Sequence, residues 1–347
     1  MKTRTWQFLV GAGMLCVLAT GASARDLTFT GFGGASSERV SKAMLQPYTK
    51  KTGIKITEAA YDGGISQMRL MVDSGNVTWD LVDVEGQDLY RGCEEGLYET
   101  IDVKSLIDTD DFVPSALGSP CGVGWSSWAT VLAYNSDKIK NPPTSWADFF
   151  DLKKYPGKRG LRQGPQLTLE IALMADGVKA DDVYKVLSTK EGVDRAFKKL
   201  DTIKSSIQWW TSGAQPQQWL AGGDVALTAA YNGRVTVAHN QGQPLAHIWN
   251  GQIYTYDYFV IVKGSPKKEE ALALMKYMLS PEALAAQAKL IPYGPASKKA
   301  MAMLEPERVA EFPTAPNNLT NAVATSNEFW AEHLEDLTER FNAWAAQ

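Results

Sequence analysis

Three cysteines, three histidines and no run of basic residues are present in these 347 residues, and each shortage excludes a class of chemistry. His239, His247 and His333 have no metal-ligand spacing, so with so few thiols no zinc site emerges. No G-x-S-x-G elbow or comparable nucleophile motif occurs, which leaves an exported enzyme as a competing class without a nucleophile and base to carry it. Net charge is −4 with lysine and arginine dispersed, so the electrostatic footprint of a nucleic-acid binder is missing. Gly31-Phe32-Gly33-Gly34-Ala35-Ser36 follows a strand pattern, but serine stands at the third glycine of a dinucleotide fingerprint. No cofactor is expected; the segment reads as a tight turn whose free N–H groups can face an anionic ligand group. With 44% hydrophobic positions the chain can still bury one large core or two medium ones.

Residues 1–24 carry a secretory pattern: Lys2 and Arg4, an apolar stretch over 8–20, and Ala22-Ser23-Ala24 as a cleavage site. The apolar stretch is shorter than the roughly 20 residues needed to span a bilayer, and no later segment qualifies. Leu15 before Cys16 argues against lipid attachment. The exported chain would begin at Arg25; loss of Lys2 and Arg4, with no acid, takes the net charge from −4 to −6. Cys93 and Cys121 then remain in a compartment that favours disulfides, with one pairing open to them; two buried free thiols are the alternative.

From Arg25 strands alternate with helices. Strands are expected at 26–32, 54–61 and 80–84, with helices over 37–52 and 65–74, which describes an open, largely parallel sheet. Residues 123–135 and 254–262 form apolar, aromatic runs long enough to cross between lobes. Between them lie further elements: a helix opened by Ser145 with Asp148 as a weak capping box, helices near 167–175 and 192–205, and strands at 207–210, 225–230 and 245–249. A helix follows at 267–280. The expected α/β architecture has lobe one at 25–132 plus 260–300, and lobe two at 133–259 plus 301–347. Ligands of such folds bind outside the carboxyl ends of the strands, in the cleft between lobes.

Those strand ends carry aromatics and a few charges. Asp257, within Tyr254-Thr255-Tyr256-Asp257-Tyr258-Phe259, is costly in an apolar strand unless it meets a cation, either a protein lysine or arginine or a ligand ammonium. Tyr231, Trp125, Trp128 and Phe32 can wall that ammonium through cation–π contacts, or pack as ordinary core. Arg234 can fork onto a ligand carboxylate or phosphonate, or pair with Glu85 or Asp257. Ser212, Thr255 and Tyr293 complete the candidate ligand-binding residues. A ferric site from Tyr254, Tyr256, Tyr258 and Tyr293 is a minor option, because strand alternation sends Tyr256 to the opposite face from Tyr254 and Tyr258.

Asp80-Leu81-Val82, Glu95-Gly96-Leu97, Thr144-Ser145-Trp146-Ala147-Asp148, Tyr231-Asn232-Gly233, Thr255-Tyr256-Asp257 and Tyr293-Gly294-Pro295 together resemble the spermidine/putrescine-binding periplasmic proteins of ABC transporters. The resemblance covers essentially the whole exported chain. It implies a two-lobed periplasmic binding protein of type II-like fold, with hinge strands and an interlobe ligand cleft. Such a receptor hands its solute to an inner-membrane permease and performs no chemistry on it. A monomer is expected, since nothing points to obligate oligomerisation. By the same resemblance Asp257 is the amine-binding aspartate, Tyr231 replaces a tryptophan, Phe32 falls at a first-strand tryptophan and Tyr293 contacts ligand. Departures are informative. Gln163, Gly164 and Leu167 stand where a second acidic pair is expected, Thr255 replaces a pocket tryptophan, Glu85 and Gln87 replace a serine and a tyrosine, and Arg234 adds a cation. A compact zwitterion therefore fits better than a polyamine, as in the branch that takes up γ-aminobutyrate and related ω-amino acids. Putrescine or spermidine, then aminoethylphosphonate or taurine, are the alternatives.

Overall fold

The computed structural model describes residues 25–347; the secretory pattern read at 1–24 lies outside the described residues. Among the described residues ten strands form one continuous sheet: β1 (Leu27–Gly31), β2 (Ile56–Ala60), β3 (Leu81–Glu85), β4 (Gly122–Asn135), β5 (Arg159–Arg162), β6 (Ile207–Trp210), β7 (Leu227–Tyr231), β8 (Leu245–Ile261), β9 (Gly294–Pro295) and β10 (Val323–Ala324). The main path runs β2-β1-β3-β8-β4-β7-β5-β6, with β9 on β4 and β10 on β8. β1 pairs in parallel with β2 and β3, and β5 in parallel with β6 and β7. All five residues of β1 and of β3 are buried, as expected of parallel strands covered on both faces.

The two central strands are long and antiparallel. β4 has 14 residues and β8 has 17, and each reaches from one half of the sheet into the other. Register shifts interrupt their ladder between Gly124 and Ser126 and between Thr130 and Leu132. The stretches 245–249 and 254–262, expected as separate strands, are joined in β8, because Gly251 at φ 76° turns the chain without ending the ladder. The expected helix at 37–52 starts earlier, at Gly34, and passes through a π turn at Ser41–Leu45. Ser145 occupies an N-cap position without a side-chain cap bond; Asp148 instead accepts from the Thr144 N–H (2.7 Å) and hydroxyl (3.0 Å).

Hydrophobic residues collect into two principal cores. One holds Phe29, Val82, Trp125 and Phe259; the other holds Trp146, Leu173, Trp330 and Phe341. Leu304 and Phe312, and Tyr256, Tyr258 and Phe259 at the end of β8, all read with lobe two from the sequence, pack in the first core. The Asn327–Ala345 helix belongs to the second, where Trp330 Nε1–H donates to buried Glu170 at 2.7 Å. Gly86 lets this helix approach the end of β3, since a Cβ there would lie 2.2 Å from the Asn327 amide. Cys93 and Cys121 form a disulfide within the first lobe.

Candidate functional site

Between the two cores the ends of β1, β3, β5, β6 and β7 converge on the middle of β4 and β8. They border a small, partly open cavity lined by Phe32, Ser36, Tyr61, Asp62, Glu85, Trp128, Arg162, Thr211, Gly213, Tyr231, Arg234, Asp257 and Tyr293. Seven of the ten sequence candidates therefore share one cavity. Ser212 lines an adjoining chamber with Gly33, Gly34 and Ala214. Trp125 is elsewhere, fully buried in the first core, where its indole N–H donates to Asp83 (2.8 Å) and its ring stacks on Phe259 at 4.6 Å. Thr255 pairs opposite Trp128 across the β4–β8 ladder and does not line the cavity. Of the tyrosines considered for iron, Tyr293 alone reaches it; the Tyr258 hydroxyl donates to the Ser115 carbonyl (2.8 Å).

Asp257 sits at the floor, 3% exposed, and directly opposite Glu85 in the β3–β8 ladder. Trp128 Nε1–H donates to it at 2.6 Å, and this is its one hydrogen bond from a side chain among the described residues. Burial raises its pKa well above the usual carboxylate range, and the negative charge of Asp83 adds to the rise. Asp83 is itself pushed up to about 7 by burial, partly offset by the Trp125 N–H and by Arg39. The bond from Trp128 fixes one wall: its ring meets Tyr231 edge-on at 4.9 Å, and Tyr231 meets Trp210 edge-on at 5.4 Å. Phe32 forms another wall, stacked on Tyr61 at 5.3 Å, whose hydroxyl is tied to the Asp83 carbonyl at 2.8 Å.

Arg234 stands on the first turn of the Asn232–Asn240 helix, 6% exposed. Its Nη2 donates across the cleft at the outer limit of hydrogen-bond length, to the carbonyls of Phe32 (3.5 Å) and Gly33 (3.4 Å), and its Nε has no partner. Among the described residues it makes no ion pair, so neither of the carboxylates considered from the sequence neutralises it. The Tyr231-Asn232-Gly233 motif has a mechanical explanation. Asn232 accepts from the Ala129 N–H (3.0 Å) and donates to the Pro292 carbonyl (2.9 Å), and a Cβ on Gly233 would lie 2.4 Å from the Tyr293 ring. The motif thus locks Arg234, Trp128 and Tyr293 into one arrangement.

Two arginines escaped the sequence reading. Arg162 ends β5, a strand not anticipated, and its Nη1 lies 3.2 Å from Glu85 Oε1 on the other lobe. Arg39 lies under the cavity between the Trp125 and Tyr293 rings, its guanidinium carbon 4.5 and 4.6 Å from their centroids. It donates to Ser126 (3.1 Å) and Gln287, and burial lowers its pKa to about 10. Its only sequence signal is position: Ser36, Arg39 and Val40 form the buried face of the Gly34–Val40 helix. The cavity therefore presents one internally paired set, Glu85 with Arg162, and two groups that make no ion pair among the described residues, Asp257 and Arg234. Asp62 is exposed at the rim.

Residues 43–317 match the model of a family described as bacterial extracellular solute-binding proteins. The chain is 46% identical to the gamma-aminobutyric acid-binding protein of Pseudomonas aeruginosa over 96% of its own length and 95% of that protein's. It is 25% identical to the spermidine/putrescine-binding periplasmic protein of Salmonella typhimurium, over 95% and 97% of the two chains. Among solved structures, PBP MotA of A. tumefaciens B6 in complex with glucopine superposes with a TM-score of 0.87, at 32% identity, covering 92% of this chain and all of the other. The structure of a GABA receptor superposes with a TM-score of 0.82, at 33% identity, covering 93% and 98%.

Proposed function

The chain belongs to the bacterial extracellular solute-binding proteins, and from that premise we propose that it is the periplasmic receptor of an ABC transporter for a short ω-amino acid such as γ-aminobutyrate. One observation carries the reading: the cavity holds a buried carboxylate and a buried guanidinium, neither of which makes an ion pair among the described residues. An ammonium on Asp257 and a carboxylate on Arg234 would satisfy both, each as a charge-assisted hydrogen bond in a water-poor site. Phe32, Trp128 and Tyr231 would cover the methylenes between them. A ligand neutral overall leaves the site's charge unchanged, whereas a diamine adds two positive charges beside Arg234 and Arg162. The relatives support the same order, with 46% identity to a γ-aminobutyrate binder against 25% to a polyamine binder.

Solute-binding relatives deliver their cargo rather than transform it, so the ligand should be recovered unchanged and the partner is a membrane permease. Among the described residues no helix is long and apolar enough to cross a membrane. The test is a thermal-shift panel on ligand-stripped protein, with γ-aminobutyrate, longer and shorter ω-amino acids, aminoethylphosphonate, taurine, putrescine and spermidine at equal concentration. A ligand bound only by the native state raises the midpoint. The expected result is a shift with ω-amino acids and none with the diamine or triamine; a shift with putrescine or spermidine alone would reverse the assignment.

A further inference from the structure

The Glu85–Arg162 pair joins the lobes at the cavity wall. Glu85 closes β3 in lobe one, Arg162 closes β5 in lobe two, and their side chains are 8% and 20% exposed. The contact is embedded in a network that also alternates between lobes: Gln87 Nε2–H donates to Glu85 (2.6 Å), and Gln166 Nε2–H donates to Gln87 (3.1 Å). Burial works against the charged form of Arg162, yet the charge of Glu85 holds its pKa above the usual guanidinium value. Glu85 is thus committed to a protein cation.

Its position matters because Glu85 and Asp257 lie directly opposite each other on neighbouring antiparallel strands. Side chains so placed share a face, with Cβ atoms about 5 Å apart. Both line the cavity. Without Arg162 they would form two neighbouring carboxylates in a pocket walled by aromatics, which is the chemistry that recognises a short aliphatic diamine. Removing one member of a desolvated ion pair leaves the other as an uncompensated buried charge, a strong demand for a new counterion.

We propose that Arg162 is the residue that determines charge selectivity: by occupying Glu85 when the lobes meet, it withholds the second carboxylate from diamines and leaves a cavity for one ammonium and one anion. This rests on the ω-amino acid reading above and adds a reason for the rejection of diamines that Arg234 alone does not supply. The mechanism is exclusion built into the protein's own charges.

The test is isothermal titration of wild type, R162M, R162K and the double variant E85Q/R162M with γ-aminobutyrate and with putrescine. R162M is expected to bind putrescine at least about tenfold more tightly than wild type does, the scale of a close buried charge contact. R162K, which can still pair with Glu85, should keep the wild-type preference, and E85Q/R162M should lose the gain. Should R162M not fold, E85Q reads the pair from the other side: Arg162 then lacks its carboxylate, and glutamate, with a second carboxylate, should gain at least about tenfold. A wild type that binds γ-aminobutyrate together with an R162M that gains nothing for putrescine overturns the role of Arg162 alone. Equally, a folded E85Q without gain for glutamate overturns it. Putrescine binding by wild type as tight as that of γ-aminobutyrate overturns both the selectivity and the functional reading.

Discussion

Asp257 is held by a single indole N–H in a place where burial and the nearby Asp83 both oppose its charge. Its raised pKa has a consequence for binding. An ammonium stabilises the ionised carboxylate, so the ligand-bound pKa lies below the ligand-free one, and binding between the two releases a proton. Affinity should therefore rise with pH up to the ligand-free pKa of Asp257 and level off above it, with a slope approaching about tenfold per pH unit for one proton. The amine stays charged throughout, since its own pKa is near that of lysine, about 10.4. Titration calorimetry in buffers of different ionisation enthalpy measures the released proton directly. Asp257→Asn should abolish the release and cost about 2 to 5 kcal/mol in affinity, the loss on truncating one partner of a buried charge contact. A flat affinity profile from pH 5 to pH 8 in the unmodified protein would contradict a raised Asp257 pKa that falls on binding, and an Asp257→Asn variant of unchanged affinity would remove Asp257 as the ammonium's partner.

At the scale of elements, most of lobe one was legible because short segments carrying β-branched and aromatic residues alternate with helices, and glycines mark the turns between them, as with β1 before Gly33-Gly34 and the 66–74 helix before Gly75. The crossing strands were legible by length. β5 was not, because the Arg159–Arg162 strand is four residues long with an arginine at each end, and periodicity carries no signal there. Missing β5 meant missing Arg162. Trp125 was misplaced for a different reason: it is the unpaired residue where the β4–β8 register shifts between Gly124 and Ser126, and a sequence gives no sign of such a bulge. The bulge leaves Trp125 in the core, while Trp128, back in register opposite Thr255, walls the cavity. The disulfide is the element that tests lobe one. Cys93 ends the Gly86–Glu94 helix behind β3, and Cys121 directly precedes β4, 28 residues later. Closing a loop of that size contributes about 3 to 4 kcal/mol on the chain-entropy estimate. Reduction, followed by differential scanning calorimetry, should lower Tm by about 5 °C. An unchanged midpoint after verified reduction would mean that the bridge does not hold the fold.

For the whole molecule, the cavity exists only where the lobes meet. Phe32, Glu85 and Asp257 approach from lobe one and the crossing strand β8, while Arg162, Tyr231 and Arg234 come from lobe two. Glu85–Arg162, Gln87–Gln166, Arg234 to the Phe32 and Gly33 carbonyls, Asn232 to the Pro292 carbonyl, and Arg91–Glu335 are among the polar contacts that span the gap. On the proposed reading, a ligand carrying both charges would join the two halves, its ammonium on Asp257 of the crossing strand opposite Glu85 and its anion on Arg234 of the Asn232–Asn240 helix. One charge alone would engage one lobe and leave the other group desolvated without a partner. Titration of the stripped protein with γ-aminobutyrate, butylamine and butyrate separates these cases. The three ligands share a four-carbon chain and differ in which charges they carry. Butylamine and butyrate are each expected to bind at least about 30-fold more weakly than γ-aminobutyrate, the lower end of the cost of losing a buried charge contact. Butylamine binding as tightly as γ-aminobutyrate would contradict this, because Arg234 would then read nothing.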